Sequence, residues 1–287
     1  MAVKITSDST CDLSKDLLEQ YGIAIMPLTV TLGERSGYDG SGITPEDIYR
    51  YVEETGKLPK SSAVSLGEYE TFFRSLREQG NEIIHFSIGK QFSASYQNAC
   101  TAAEMIGGVH VVDSENLSTG QGLLVLHAAE MAQAGASAEK IAEECRKLTS
   151  HVEASFVISH IDYLYKGGRC SAAAALSAGL LHIKPCIEVR SGEMHPGKKY
   201  HGNIRHAIHG YTEDRLKNRS DIDPGRIFIT HTRCDPQIID TVKTLIQTFQ
   251  PEIKEISETT AGATITTHCG PDTLGILFSR KHDPIAD

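Results

Sequence analysis

Short β-branched runs alternate with stretches of helical period through the first half of the chain. That alternation predicts a parallel sheet covered by helices. The strands expected are Val3–Thr6, Ile23–Leu32, Glu82–Ser87 and Val109–Asp113. Thr44-Pro45-Glu46-Asp47 reads as an N-cap, an N1 proline and an acidic first turn, and Ser65-Leu66-Gly67-Glu68 as a capping box. The helix opened at Ser65 carries Tyr69, Phe72, Phe73 and Leu76 on one stripe and stops at Gly80. Further helices are expected at Gly122–Ala134 and Ala138–Leu148.

A domain boundary is placed near residue 150, giving an N-terminal α/β domain (1–150) and a C-terminal one (151–287). The pattern of the second half is less regular. Strands are expected near Ser155–Ser159, Cys186–Val189, Arg226–Thr230, Ile253–Ile256, Ala263–Thr267 and Leu274–Phe278, with helices at Ile204–Lys217 and Gln237–Phe249. The class that results is α/β with two unequal domains: a parallel sheet flanked by helices, then a mixed sheet with helices on one side.

Composition narrows the functional classes. The 287 residues carry 28 Lys and Arg against 37 Asp and Glu, a formal charge of −9 that opposes wrapping on phosphate backbones, so no nucleic-acid partner is expected. No apolar segment follows a basic start and no run reaches membrane-spanning length, which predicts a cytoplasmic protein with no transmembrane segment. The 7 cysteines are odd in number and scattered without a C-x-x-C pair, as reduced, mostly buried thiols would be.

Familiar catalytic motifs are missing. There is no P-loop and no G-x-S-x-G elbow, and Gly120-Gln121-Gly122 lacks the third glycine of a dinucleotide fingerprint. His201, His206 and His209 lack an acidic companion at metal-ligand spacing and read as a solvated face, so neither metal nor cofactor is assigned. Three hydroxyl-rich turns remain, Thr6–Thr10, Ser61–Ser65 and Phe92–Gln97, the last two leading into helix N-termini. Hydroxyls and free backbone N–H groups there suit a carboxylate or phosphate, although each serine alone reads as a cap. Tyr163 to Arg169 adds two glycines before an arginine, and His268 precedes the Gly270-Pro271 loop.

Together these stretches resemble the DegV family of bacterial fatty-acid-binding proteins: SDST at Ser7–Thr10, PLTV at Pro27–Val30, Asp39, the S-x-S-Y-Q start from Ser93, VDS at Val112–Ser114 with Ser118 and Gly122, YL-x-KGGR ending at Arg169, and GP-x-TLGI ending at Ile276. The resemblance implies one long-chain fatty acid in a tunnel between two unequal domains. Its carboxylate would be presented to a separate ATP-dependent fatty acid kinase, the binding protein itself having no catalytic residue. Carried over, the carboxylate site falls on Ser61, Ser62 and Ser93, with Arg169 and His268 holding the head-group network and facing the acyl phosphate. The acyl-chain wall is expected at Leu176, Leu180 and Leu181 in the small-residue run Ala172–Leu181. A chain of about 16 to 18 carbons at about 0.8 kcal/mol per methylene would be tightly held.

Two departures stand out. The family's T-S-Q-P-S is S-S-A-V-S here, without the stiffening proline, and Asp272 enters the GP-x-T loop beside His268, where its charge could raise the imidazole pKa or signal a different surface partner. Two other readings share the cleft: an enzyme acting on a small anion, and a lipid sensor or storage module with no kinase partner.

Overall fold

The computed structural model describes residues 2–170 and 183–282. The first half runs β1 (Ala2–Asp8), α1 (Lys15–Gln20), β2 (Ala24–Met26), β3 (Thr29–Leu32), β4 (Arg35–Tyr38), α2 (Pro45–Thr55), β5 (Lys60–Ser62), α3 (Leu66–Arg77), β6 (Asn81–Ser87), α4 (Ser95–Ile106), β7 (Val109–Asp113), α5 (Ser118–Gln133) and α6 (Ala138–Leu148). The second runs β8 (Val152–Val157), α7 (Ile161–Gly167), β9 (Ile183–Arg190), β10 (Glu193–His201), α8 (Ile204–Leu216), β11 (Ile222–Thr232), α9 (Pro236–Phe249), β12 (Glu255–Thr260), α10 (Ala263–Cys269) and β13 (Thr273–Arg280).

Strands β2-β1-β6-β7 form a wholly parallel sheet. Its residues alternate between two covers: Ile83 packs among Tyr69, Phe73 and Ala99 of α3 and α4, whereas Ile84 and Val112 face the side of α5 and α6. Both predicted capping boxes are present, Thr44 with Asp47 and Ser65 with Glu68.

The second sheet, β10-β9-β8-β13-β11-β12, is antiparallel except for the β11–β12 pair. Ile227, Ile229, Ile276 and Phe278 point to α8 and α9, while Phe228 and Leu277 point the other way, to α5. Helix α5 therefore lies between the two sheets. Every residue from Ser118 to Leu126 is buried, which is why its apolar residues show no single stripe. Gly122 is needed there because a Cβ would come within 2.8 Å of the Cys11 carbonyl and the Leu13 side chain.

Three sequence expectations are corrected. Ile23–Leu32 is two strands in different sheets, broken at Pro27, whose missing N–H cannot extend a ladder. A small antiparallel sheet, β4-β3-β5, was not foreseen, and it puts Ser61 on a strand opposite Val30 instead of in a turn. Residues Ala263–Thr267 are helical, not extended, for a tertiary reason given below.

Candidate functional site

The first hydroxyl-rich turn faces inward and takes no part in any cavity described here. Asp8, fully buried at the end of β1, accepts hydrogen bonds from the Tyr69 hydroxyl, the Ser87 hydroxyl at 2.8 Å and the Ile88 amide at 3.0 Å, and pairs with His85 Nε2 at 3.2 Å. Gln121 joins Ser7 and Thr10 at 2.8 and 2.9 Å. These groups are satisfied by one another, as buried polar groups must be.

The other two turns meet. Val64, which stands where the family pattern has proline, donates its amide to Ser95 Oγ at 3.2 Å and accepts at its carbonyl from Asn98 at 2.8 Å. The first of these bonds is one a proline could not make, and the pair fixes the loop after β5 onto α4. Ser93 Oγ accepts from the Ser95 amide at 3.1 Å and donates to Ser95 Oγ at 3.0 Å, and the Ser95 hydroxyl bears in turn on the Tyr69 phenol. A chain of hydroxyls thus links the cavity rim at Ser93 to buried Asp8.

Ser61 Oγ lies 2.7 Å from His268 Nε2, joining β5 to α10 across 207 residues of sequence. The two glycines after Lys166 make room for this. A Cβ on Gly167 would fall 2.4 Å from His268 Nδ1, so only glycine lets α7 approach the imidazole, and Gly168 closes α7 in the left-handed region at φ 70°. Nδ1 is buried with no partner. The tautomer of the imidazole decides which member of the Ser61–His268 pair donates. Arg169 folds back, donating Nη1 to the Gly167 carbonyl at 2.7 Å and Nε to the Phe92 carbonyl at 3.4 Å. Burial, helped by the Arg169 charge, lowers the His268 pKa to about 4, so the imidazole is neutral at physiological pH. The departure at Asp272 does not raise it: that carboxylate bears on the Cys234 thiol.

What makes Ala263–Cys269 a helix is its N-terminus. Asp39 accepts from the Ala263 amide at 2.7 Å, the Thr264 amide at 3.2 Å and the Ser9 hydroxyl at 3.0 Å, and Asp12 accepts from the Gly262 amide at 2.8 Å and from Ser118. Two carboxylates from the first half cap a helix of the second, and this outweighs the β-branched composition of ATITTHC. It also aims His268, one residue from the far end of the same helix.

Burial, opposed by the Ser118 and Gly262 bonds, raises the Asp12 pKa to about 8. Between its ordinary value of 3.8 and about 8, folded Asp12 keeps a proton that the unfolded chain releases, so its contribution to stability falls as pH rises through that window. Urea unfolding of wild type and Asp12→Asn across pH 4–8 is expected to show wild type losing ground to the variant as pH increases. A constant difference would mean that Asp12 ionises normally.

Ser61, Ser62, Ser93, Arg169 and His268, the five head-group residues expected from sequence, line one cavity, which with the solvent at its mouth holds about 480 Å³ of empty space. Its deeper wall is apolar: Leu28, Ile88, Phe92, Leu117, Met194 and Ile265. A second, narrow apolar cavity shares Leu117, Ile265 and Cys269 with it and lies between α5 and the mixed sheet, beside Phe156, Val189 and Leu277. Leu176, Leu180 and Leu181, the expected wall, lie outside the described residues. Sequence reasoning missed Thr264, 3% exposed, whose hydroxyl has no partner and which lines the first cavity. No signal pointed to it once the segment was read as a strand.

His201, His206 and His209 are exposed, as the solvated-face reading expects. No helix among the described residues is long and apolar enough to cross a membrane.

These elements define a mixed α/β chain whose two sheets enclose an apolar cavity with a polar rim. The family model described as "Uncharacterised protein, DegV family" matches residues 2–281, and the chain belongs to that family. It is 32% identical over 282 residues to a DegV domain-containing protein of Caldanaerobacter subterraneus subsp. tengcongensis, covering 97% of this chain and 99% of the relative. Among solved structures it resembles a DegV family protein from Thermus thermophilus, described for its fatty acid binding (TM-score 0.87, 26% identity, 97% of this chain and 100% of the other). It also resembles a stearic-acid-binding protein from Eubacterium ventriosum (TM-score 0.85, 28% identity, 97% and 98%).

Proposed function

We propose that the protein binds one long-chain fatty acid, about C16–C18, with its carboxylate at Ser61, Ser62 and Ser93 and its chain along the connected apolar cavities between an N-terminal domain (1–150) and a C-terminal one (151–287). The observation that carries this reading is the cavity itself: hydroxyls and a guanidinium at the mouth, then apolar side chains inward. In this reading His268 Nε2 donates to Ser61 Oγ, so that the Ser61 proton goes to the carboxylate, and the Thr264 hydroxyl is a further donor. Ser93 turns its proton from Ser95 to the ligand. Exposed Ser62 and Arg169 leave the carboxylate within reach of a second protein, and Arg169 supplies positive charge for an acyl phosphate. The partner in this reading is an ATP-dependent fatty acid kinase that phosphorylates the bound acid in the cytoplasm. The binding protein contributes orientation and charge and carries out no chemistry itself.

Native mass spectrometry of protein purified without added lipid, followed by organic extraction, tests the first step. The expected result is a mass excess of one fatty acid with that acid in the extract. Apo protein that also fails to take up stearic acid on titration would overturn it. For the second step, Ser61→Ala is expected to weaken binding by about 1–3 kcal/mol, the usual effect of removing a donor from a charged acceptor. Arg169→Ala is expected to lower kinase-dependent phosphorylation more than it lowers binding. Equal losses would place Arg169 inside the binding site proper.

A further inference from the structure

On the side of the molecule where the end of β13 meets α5 and α6, three side chains converge that play no part in the cavity. They are His127 of α5, Glu144 of α6 and His282, two residues beyond β13. One nitrogen or oxygen from each lies within 4.8 Å of the other two. His282 Nε2 is 3.3 Å from Glu144 Oε1, and Glu144 is only 4% exposed at its side chain. His127 Nε2 and His282 Nδ1 are buried without hydrogen-bond partners. Buried imidazole nitrogens left bare are costly, and two in one cluster call for a ligand.

We propose that His127, Glu144 and His282 form a site for one divalent transition-metal ion of the zinc class. Two imidazoles and one carboxylate are a borderline nitrogen-and-oxygen donor set, which suits zinc and disfavours magnesium or calcium. Bonds of about 2.0–2.1 Å at tetrahedral angles put ligand atoms about 3.3–3.4 Å apart, the spacing His282 and Glu144 already have. Closing the remaining edges takes a side-chain movement of about an ångström or so, which His282, beyond the end of its strand, can supply. A surface cavity lined by His127, His282, Glu130 and Asp223 opens beside the cluster and leaves a path for the ion and a fourth position for water. The charges of Glu130 and Asp223 favour a cation there, while Arg226, beside Glu130, opposes it in part.

The sequence assigns no metal because 17 and 138 residues separate the three ligands, a spacing no motif describes. Such an ion would tie the last strand of the second half to two helices of the first.

The test uses the full chain, stripped with a chelator and titrated with Co(II) by absorption and Zn(II) by calorimetry. The expected result is one saturable site with the intense visible bands of low-coordinate Co(II), Zn(II) displacing it, and a rise in Tm at one equivalent of Zn(II). His127→Gln and His282→Ala are each expected to weaken it on the order of a hundredfold or more, since disturbing even outer partners of a metal costs 10–100-fold. His206→Ala, on the exposed helix face, is expected to leave it unchanged. No saturable binding, or binding that survives the double variant His127→Gln/His282→Ala, would overturn the proposal and leave His282–Glu144 as an ion pair alone. A site that Mg(II) fills equally well would overturn the zinc class.

Discussion

Asp39→Ala is expected to destabilise the protein by about 2–6 kcal/mol, the loss expected when two buried amides are left without their acceptor. The carboxylate is 7% exposed and accepts from three donors, two of them the first amides of α10. Truncation leaves those two amides buried and unpaired, at about 1–3 kcal/mol each, while Ser9, half-buried, still accepts from the Leu28 amide. The helix termini rule says they must find partners, and the nearest carboxylate, Asp12, is already occupied by Gly262 and Ser118. Urea unfolding gives the measurement: the midpoint should fall with the slope unchanged, and Asp39→Asn, which retains one acceptor oxygen, should fall less. Because α10 also carries His268, stearic acid binding should weaken at a denaturant-free temperature where the variant is still folded. A change under about 1 kcal/mol would mean that α10 stands without this cap.

Gly167→Ala is expected to be the most damaging single methyl group in the site. The added carbon would fall 2.4 Å from His268 Nδ1, well inside contact distance. Either the α7 end or the imidazole must yield, and overpacking of this kind costs about 1–3 kcal/mol of stability. If the imidazole yields, the 2.7 Å contact with Ser61 is lost, and with it what holds the Ser61 hydroxyl in place at the cavity. Fatty-acid affinity should then drop by at least as much as in Ser61→Ala, and the double variant should add little to either single change. Gly168→Ala, at a left-handed position with open space around it, should instead cost about a kilocalorie of backbone strain and spare affinity. Equal effects of the two alanines on affinity would show that the imidazole position is not what Gly167 protects.

Much of the first half was legible because its signals are local. The Ser65–Glu68 capping box, the Tyr69–Leu76 stripe and the β-branched runs of β6 and β7 depend on neighbours a few residues away, and each lies where its pattern predicts. Local signal failed where distant groups decide. Ala263–Cys269 is rich in threonine and isoleucine and reads as extended, but Asp12 and Asp39, more than two hundred residues earlier, supply the acceptors that make it helical. Strand β5 is three residues long and exists because β3 is opposite it. The hydroxyl-rich turns, Arg169 and His268 stood out from the residues themselves, and resemblance to the DegV family gave them their proposed roles. The structure adds what the motif could not convey: why a second glycine follows Lys166, how Val64 replaces a proline, and that Asp272 faces Cys234 and leaves His268 alone. The apolar walls were illegible in principle, since Leu117 or Phe156 beside a cavity has the same sequence pattern as a residue in solid core.

The position of α5 bears on how the two halves can behave in time. A helix whose first nine residues are all buried between two sheets belongs to both, and the side chains it shares with Ile84 and Val112 on one face and Phe228 and Leu277 on the other form one continuous core. Separating the halves would tear that core, so a wide clamshell opening is as expensive as unfolding. Thermal and chemical denaturation should therefore pass through a single transition, and neither half should persist when expressed alone. Among the described residues, the mouth at Ser61 and Arg169 opens on solvent without any separation of the halves, so a guest of the proposed kind could pass lengthwise there at a rate set by breathing of the rim.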